Sequence, residues 1–155
     1  MNEDEFYMNK ALRLANEASE RGEVPVGAII IKGNRVVGQG RNQTEQLNDV
    51  TAHAEMIALT AAFQTLGQKY LQGCTLYVTL EPCMMCAGAI VWSKLDRVVI
   101  GALDERSGGC GSAFNIAANQ RLNHQAEIHY GVLEDECSRI LKQFFQKKRK
   151  SLETE

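Results

Sequence analysis

Two short motifs, well separated in the chain, constrain the fold more than any other part of the sequence. The first is His53-Ala54-Glu55, and the second is Cys83-Met84-Met85-Cys86, which follows Pro82. One imidazole and two thiolates form a donor set that binds zinc in catalytic sites, where a fourth position is left to water. We therefore expect the fold to bring both motifs to one metal ion, with the Glu55 carboxylate nearby as a proton acceptor.

The spacing within each motif favours a different role for each residue. Cys83 and Cys86 are three positions apart at the start of a predicted helix, so both sulfur atoms face the same side. The free N–H groups of that first turn stabilise thiolate, which is the form that binds a metal. His53 and Glu55 are two positions apart on a predicted helix and point about 200° apart. This favours His53 as the ligand and Glu55 as a base that approaches from another side.

Each motif alone has other interpretations. A Cys-x-x-Cys pair also occurs in structural zinc sites and in redox proteins. A closed structural site would need a fourth ligand, which Cys74 or Cys110 could supply. A thioredoxin-like pair is disfavoured by Met84 and Met85, and it would leave His53 without a role. The combined motifs indicate one catalytic zinc ion per chain and no organic cofactor.

Composition excludes several classes of protein. The 155 residues suffice for one domain with a hydrophobic core, and the 45% hydrophobic content is ordinary for a globular protein. No apolar run approaches the ~20 residues of a membrane span, and the acidic N-terminus does not resemble a signal peptide. Five cysteines are an odd number, which argues against a disulfide framework. We expect a cytoplasmic protein with no membrane partner, in which Cys74, Cys110 and Cys137 are buried thiols.

Hydrophobic patterning predicts strands that alternate with helices. The predicted elements are a helix over 6–18 that ends at Gly22, a hairpin of strands 26–31 and 36–37, a loop over 41–49, a helix over 52–66, a strand over 76–80, a helix over 83–95, a strand over 97–102, a glycine-rich loop over 107–112, a short helix over 114–119, a strand over 127–130 and a last helix from about Leu133. This order predicts a layered α/β fold in which the hairpin provides one antiparallel pair. The domain is expected to span residues 1–150, with a charged C-terminal tail over 151–155.

The motifs together resemble those of the cytidine/deoxycytidylate deaminase superfamily, and within it those of the bacterial tRNA adenosine deaminases. The similar segments are 23–28, 51–55, 76–89, 97–102 and 104–112, so the resemblance extends over the whole domain. It implies a three-layer fold with a central five-stranded mixed sheet flanked by helices. It also implies hydrolytic deamination of adenosine to inosine at the wobble position of a tRNA anticodon loop, carried out by a homodimer.

The resemblance also assigns roles to residues of this chain. It implies zinc ligands at His53, Cys83 and Cys86, and a proton-transferring carboxylate at Glu55. The family's substrate contacts fall on three further positions, Asn42, Ala54 and Asp104. The first would hydrogen-bond the target nucleoside, the second would line the base pocket through its backbone, and the third would lie near the nucleic acid.

Two other functions stay open at this point. A free-base or nucleoside deaminase acting on guanine, cytosine or cytidine would share the zinc motif. A non-catalytic, zinc-stabilised RNA-binding module would have no use for Glu55.

A basic cluster near the end of the chain also has two interpretations. The formal net charge of −2 gives no overall attraction to nucleic acid, so an RNA partner requires a local patch. The cluster consists of Lys142, Lys147, Lys148, Arg149 and Lys150, beside Phe144 and Phe145. It either contacts RNA phosphates or compensates the C-terminal dipole of the last helix, with the phenylalanines packed on the core.

Overall fold

The computed structural model describes residues 1–154, in which helices and strands follow one another along the chain as predicted. The elements are α1 (Glu3–Glu20), β1 (Gly27–Lys32), β2 (Arg35–Arg41), α2 (Thr44–Leu47), α3 (Ala54–Leu66), β3 (Cys74–Leu80), α4 (Met84–Ser93), β4 (Arg97–Ala102), β5 (Glu127–His129) and α5 (Glu134–Thr154). No helix in this part of the chain is long and apolar enough to cross a membrane.

The five strands form one mixed sheet in the order β2-β1-β3-β4-β5. Strands β3, β4 and β5 are parallel, whereas β1 is antiparallel to both of its neighbours, β2 and β3. The predicted hairpin provides one of these antiparallel pairs, and β1 with β3 provides a second, which was not predicted. The chain leaves β2, crosses the sheet through α3 and returns in β3 with the same direction as β2. Because β1 lies between these two strands, it runs against both of them.

Helices cover both faces of the sheet, which confirms the predicted three-layer arrangement. Alternate side chains of β1 divide between the two cores, as a period of two requires. Ala28 and Ile30 pack in a core with residues of α3 and α4, whereas Ile29 and Ile31 pack in a second core with residues of α1 and α5. The first of these cores lies beneath the candidate site.

Two glycines of β2 allow α3 to lie unusually close to the sheet. A Cβ atom at Gly38 would be 2.3 Å from the carbonyl oxygen of Ala58, and one at Gly40 would be 2.4 Å from that of Ala54. Backbone therefore packs on backbone along this contact. The close packing fixes the N-terminal end of α3 beside the end of β2, where Asn42 follows.

Several predicted boundaries differ from the structure. Residues 114–119 form no helix. Asn115 forms an isolated β-bridge with Cys110, and the N–H groups of Phe114 and Ile116 donate to carbonyl oxygens of Gly108 and Gly109. The expected loop over 41–49 contains the short helix α2. The predicted start of a tail at residue 151 stays a prediction. Helix α5 continues to Thr154, and Glu155 lies outside the described residues.

Candidate metal centre and active site

The structure brings the two motifs together at the N-terminal ends of α3 and α4. His53 is the N-cap residue of α3, Cys83 is the N-cap residue of α4, and Cys86 lies in the first turn of α4. The Nδ1 atom of His53 is 3.6 Å from Sγ of Cys83 and 3.7 Å from Sγ of Cys86. The three side chains thus converge on one point.

The position of His53 differs from the prediction in one respect. His53 precedes α3 and has an extended backbone, with φ −75° and ψ 152°. The assumption that His53 and Glu55 are both helical was therefore wrong, and the angle of about 200° between them does not apply. Glu55 is the second residue of α3 and is buried, close enough to interact electrostatically with His53 and Cys83.

The chemistry and spacing of these donors fit a zinc ion. The ligand atoms of His53, Cys83 and Cys86 lie within 4.8 Å of one another. Tetrahedral zinc with bonds of about 2.0–2.1 Å to nitrogen and about 2.3 Å to sulfur places those atoms about 3.6 Å apart. The two nitrogen-to-sulfur distances agree with this value. Within residues 1–154 the cluster includes neither Cys74 nor Cys110, which disfavours a closed structural site.

Hydrogen bonding within the cluster concentrates negative charge on one sulfur. The Cys86 thiol hydrogen-bonds to Cys83 and, with His53, lowers the pKa of Cys83 to about 3. The same bond, together with burial, raises the pKa of Cys86. The hydrogen bond to Cys83 also raises the pKa of His53. Since metal binding displaces protons from its ligands, a bound cation would ionise Cys86 as well.

Burial has a different effect on Glu55. Loss of solvent raises the pKa of its carboxyl group to about 7, against the opposing effect of hydrogen bonding to the backbone. A carboxyl group with a pKa near the working pH can both accept and release a proton. The pKa of Glu55 is therefore compatible with the proton-transferring role that the resemblance implies.

A cavity of about 310 Å³ opens beside this cluster. Its volume lies within the range of small-molecule sites. The residues around it come from the segment before β1, from the end of β3 and from the segments that follow β2, β3 and β4, as well as from the two motifs. They are Val24, Val26, Asn42, Thr44, His53, Glu55, Leu80, Glu81, Cys83, Asp104 and Ser107.

Two of the three predicted substrate contacts line this cavity. Asn42 does so while its Oδ1 atom accepts a hydrogen bond from the backbone N–H of Ala54, at 2.9 Å. Asp104 lines the cavity from the opposite loop, and its Oδ1 atom accepts from the N–H groups of Arg106 and Ser107. Ala54 is buried and is not among the residues that line the cavity.

Sequence reasoning missed two buried carboxylates that hold the loops around the cavity. Glu23 accepts hydrogen bonds from the backbone of Glu45 and Gln46, and Glu81 accepts them from the loop that contains Asp104. Both residues lie in segments that resemble the deaminase pattern, but neither had been given a role. In the sequence, each of these glutamates is a single acidic residue in an otherwise apolar segment, close to a proline. This pattern could have identified both of them.

Comparison with known proteins identifies the family. A family model described as MafB19-like deaminase matches residues 1–149. The tRNA-specific adenosine deaminase of Aquifex aeolicus (strain VF5) is 48% identical over 148 residues, which cover 96% of this chain and 97% of the relative. This chain belongs to the tRNA-specific adenosine deaminase family.

Comparison with solved structures shows that the fold of this chain is also that of a deaminase. A structure from work on A-to-I editing by tRNA:A34 deaminases, at the wobble position of transfer RNA, aligns with a TM-score of 0.84 and 41% identity. The alignment covers 88% of this chain and 99% of that protein. A guanine deaminase from Bacillus subtilis aligns with a TM-score of 0.62 over 66% of each chain, at 39% identity. The predicted family and five-stranded mixed sheet are both confirmed.

Proposed function

We propose that this chain is a zinc-dependent hydrolytic deaminase that converts adenosine to inosine at the wobble position of tRNA. The observation that carries the proposal is the meeting of His53, Cys83 and Cys86 with buried Glu55 at one cavity. Family membership supports the reaction and the tRNA substrate. The extensive alignment with a tRNA:A34 deaminase supports the wobble position.

The residues of the cluster have different roles in the proposed reaction. His53, Cys83 and Cys86 would hold the zinc ion. When bound, zinc supplies a Lewis acid that makes water nucleophilic at neutral pH. Glu55 accepts one proton from the attacking water and passes it to the purine ring nitrogen. It then transfers the second proton, from the hydroxyl group added to the reacting carbon, to the departing amine. Adenosine and water are thereby converted to inosine and ammonia.

The substrate contacts remain proposals that rest on position. Asn42 presents its amide group to the nucleoside, and the backbone N–H of Ala54 donates to the Oδ1 atom of Asn42. Asp104 lies on the loop across the cavity, where we place the nucleotides that flank the target.

We also propose that the enzyme is a cytoplasmic homodimer. Support comes from α4, on which Met84, Gly88 and Trp92 are spaced four residues apart and so share one face. Met84 is 62% exposed, Trp92 is 74% exposed, and a Cβ atom at Gly88 would meet open space. A second copy of the chain would cover this apolar face beside the metal motif.

The substrate is tested by direct competition between chemical classes. The protein loaded with zinc is incubated with a tRNA anticodon stem-loop that carries wobble adenosine and, separately, with guanine, cytosine and cytidine. Inosine and ammonia are measured in each reaction. We expect conversion of the stem-loop alone. Deamination of a free base or nucleoside without conversion of the stem-loop would replace the proposal with the free-base or nucleoside alternative, to which the guanine deaminase alignment points.

Glu55→Gln separates catalysis from metal binding. The variant keeps the size of the side chain and removes its ability to accept a proton. We expect full zinc content with deamination reduced by at least about 10²-fold, the usual contribution of a general base. A variant that retained wild-type activity would contradict the mechanism, whereas a wild-type protein that binds RNA without deaminating it would indicate the non-catalytic module.

A further inference from the structure

Glu81 is a buried carboxylate that organises the loop following β4. The residue is 2% exposed and immediately precedes Pro82 and the metal motif. Its Oε1 atom accepts hydrogen bonds from the backbone N–H of Asp104, at 3.1 Å, and from the Ser112 hydroxyl. Its Oε2 atom accepts from the backbone N–H groups of Cys110 and Ser112, at 3.1 Å each. Every donor belongs to residues 104–112.

The bonding pattern explains why a charged group is tolerated at this position. Burying a carboxylate is costly unless its oxygens are hydrogen-bonded. Here both oxygens of Glu81 act as acceptors, and all four donors are uncharged N–H or O–H groups. Bonds of this kind to an ionised acceptor are roughly twice as strong as neutral ones. The loop and the carboxylate therefore stabilise each other.

The fit around the carboxylate is tight. A Cβ atom at Gly108 would be 2.3 Å from Cδ and 2.3 Å from Oε2 of Glu81, so only glycine leaves room for the side chain. Gly108 also forms a backbone bridge with Cys83, and the N–H of Gly109 donates to the carbonyl oxygen of Pro82, at 2.7 Å. The loop is thereby held against the backbone of the metal motif itself.

The same loop forms one wall of the cavity. Asp104, whose backbone is held by Glu81, lines the cavity together with Ser107. The side chain of Asp104 in turn accepts from the N–H groups of Arg106 and Ser107. Hydrogen bonds thus run from Glu81 through Asp104 to the residues that face the substrate.

We infer that Glu81 is a positioning residue for the RNA substrate: it fixes the loop over 104–112 against the metal motif and so sets where Asp104 and Ser107 meet the nucleotides at the cavity mouth. This inference rests on the proposed function for its substrate. Its structural half, the anchoring of the loop, is measurable without any substrate.

Glu81→Gln tests the inference with little change in shape. The amide NH₂ replaces one acceptor oxygen and opposes N–H donors of the loop. We expect hydrogen exchange of the backbone amides of Asp104, Cys110 and Ser112 to accelerate at least about tenfold, since their shared acceptor is weakened. With zinc content unchanged, KM for the stem-loop should rise about tenfold, whereas kcat should change less than about threefold.

Two further variants make the test specific. Ser112→Ala removes one donor and should cause a smaller increase in exchange and in KM. Glu23→Gln disturbs the other buried carboxylate, which accepts from the N–H groups of Glu45, at 3.1 Å, and Gln46, at 2.8 Å. It should accelerate exchange in α2 and leave residues 104–112 protected. Gly108→Ala pushes a methyl group into the carboxylate and should reproduce the KM effect if Glu81→Gln does not fold.

Each outcome of these experiments either supports or contradicts the positioning role of Glu81. Unchanged exchange of these three amides in Glu81→Gln, or an unchanged KM beside faster exchange, would overturn the inference. Loss of zinc together with kcat would also overturn it, because the role would then lie in the metal centre. If the wild-type protein does not deaminate the stem-loop, the proposed function and the positioning of RNA are both contradicted. Faster exchange in Glu81→Gln would then still show that Glu81 anchors the loop over 104–112.

Discussion

Asn42 shows how one side chain can connect the start of a helix to a binding cavity. Its Oδ1 atom accepts from the N–H of Ala54, the first residue of α3, while the residue also lines the cavity. Its NH₂ group makes no hydrogen bond within residues 1–154. The two ends of the amide therefore serve different purposes, with the oxygen stabilising the helix and the nitrogen available to donate to a nucleoside.

Asn42→Asp separates these two purposes. The carboxylate keeps an acceptor for the Ala54 N–H and adds a favourable charge at the start of α3, so the free energy of unfolding should not fall. Without the NH₂ donor, KM for the stem-loop should rise about tenfold, as expected for one lost hydrogen bond. Asn42→Ala should raise KM similarly and also destabilise the fold by about 1 kcal/mol.

Thermal unfolding and steady-state kinetics measure the two effects. Asn48→Asp adds the same negative charge at an exposed residue outside the cavity and controls for repulsion of RNA. A KM that rises equally in Asn48→Asp, or that stays at the wild-type value in Asn42→Asp, would show that the Asn42 amide does not contact the substrate.

At the scale of whole elements, the sequence predicted the bounds of β1 and β4 to within one residue, whereas β2 was predicted over 36–37 and extends over Arg35–Arg41. The runs of β-branched residues in β1 and β4 identified them because a strand buried on both faces has a continuous apolar sequence. The start of α4 was predicted to within one residue, whereas that of α3 was placed two residues too early, because His53 is not a typical N-cap residue. For α3 the missing capping bond comes from Asn42, which lies twelve positions earlier. No local pattern encodes such a contact.

Long-range contacts also explain the other omissions at the site. The N–H of Ile116 donates to the carbonyl oxygen of Gly109, at 2.8 Å, and the predicted helix over 114–119 does not form. The donors to Glu81 lie more than twenty positions later in the chain. By contrast, the metal ligands could be predicted from the sequence because histidine and cysteine side chains have a specific affinity for zinc.

The contact between α3 and β2 predicts the effect of a single methyl group. In Gly38→Ala the new Cβ atom would lie 2.3 Å from the Ala58 carbonyl oxygen and 2.9 Å from the Ala62 nitrogen. Backbone atoms cannot move aside, so α3 must shift away from the sheet. We expect a loss of about 2–3 kcal/mol in the free energy of unfolding, the usual cost of overpacking.

Denaturant unfolding measures this loss, and Gln39→Ala is the matched control. Gln39 is exposed and adjacent to Gly38 in the same strand. Its truncation should change the free energy of unfolding by no more than about 0.5 kcal/mol. Equal stability of the two variants would show that α3 has room to move at this contact.

At the scale of the whole molecule, one basic surface lies close to the candidate site. The chain has a formal net charge of −2, yet basic residues of α5 meet Arg106 in a groove of about 530 Å³. The groove is lined by Arg106, Leu141, Lys142, Phe145, Gln146, Lys148, Arg149 and Leu152. Arg106 belongs to the loop whose Asp104 and Ser107 line the site cavity. The groove therefore lies next to the proposed path of the RNA.

Two features of α5 favour one of the two interpretations of this basic cluster. A role in compensating the helix dipole requires cations in the last turn of α5, but the described last turn contains none. Phe145 is 43% exposed, so it is not packed in the core. Basic side chains interleaved with an exposed aromatic ring are typical of single-stranded nucleic acid binding. We therefore favour contact with RNA phosphates.

Neutralising the cluster should change the salt dependence of RNA binding. Replacing Lys147, Lys148, Arg149 and Lys150 with Gln should weaken binding of the stem-loop at low salt. Each lost phosphate contact should reduce the slope of log K against log salt by roughly 0.7–0.9. The kcat at saturating stem-loop should be unchanged, because Glu55 and the metal ligands belong to a different cavity. Binding is measured by titration at several salt concentrations between about 50 and 200 mM.

A charge-matched variant separates this local effect from the change in net charge. Replacing Lys10, Arg13, Arg21 and Lys69 with Gln removes the same number of positive charges from other surfaces. Long-range attraction between protein and RNA should fall similarly in both variants, but counterions are released only where phosphates are contacted. The slope should therefore flatten in the α5 variant and stay close to the wild-type value in the control. Identical slopes in all three proteins would exclude the groove beside Arg106 as part of the RNA-binding surface.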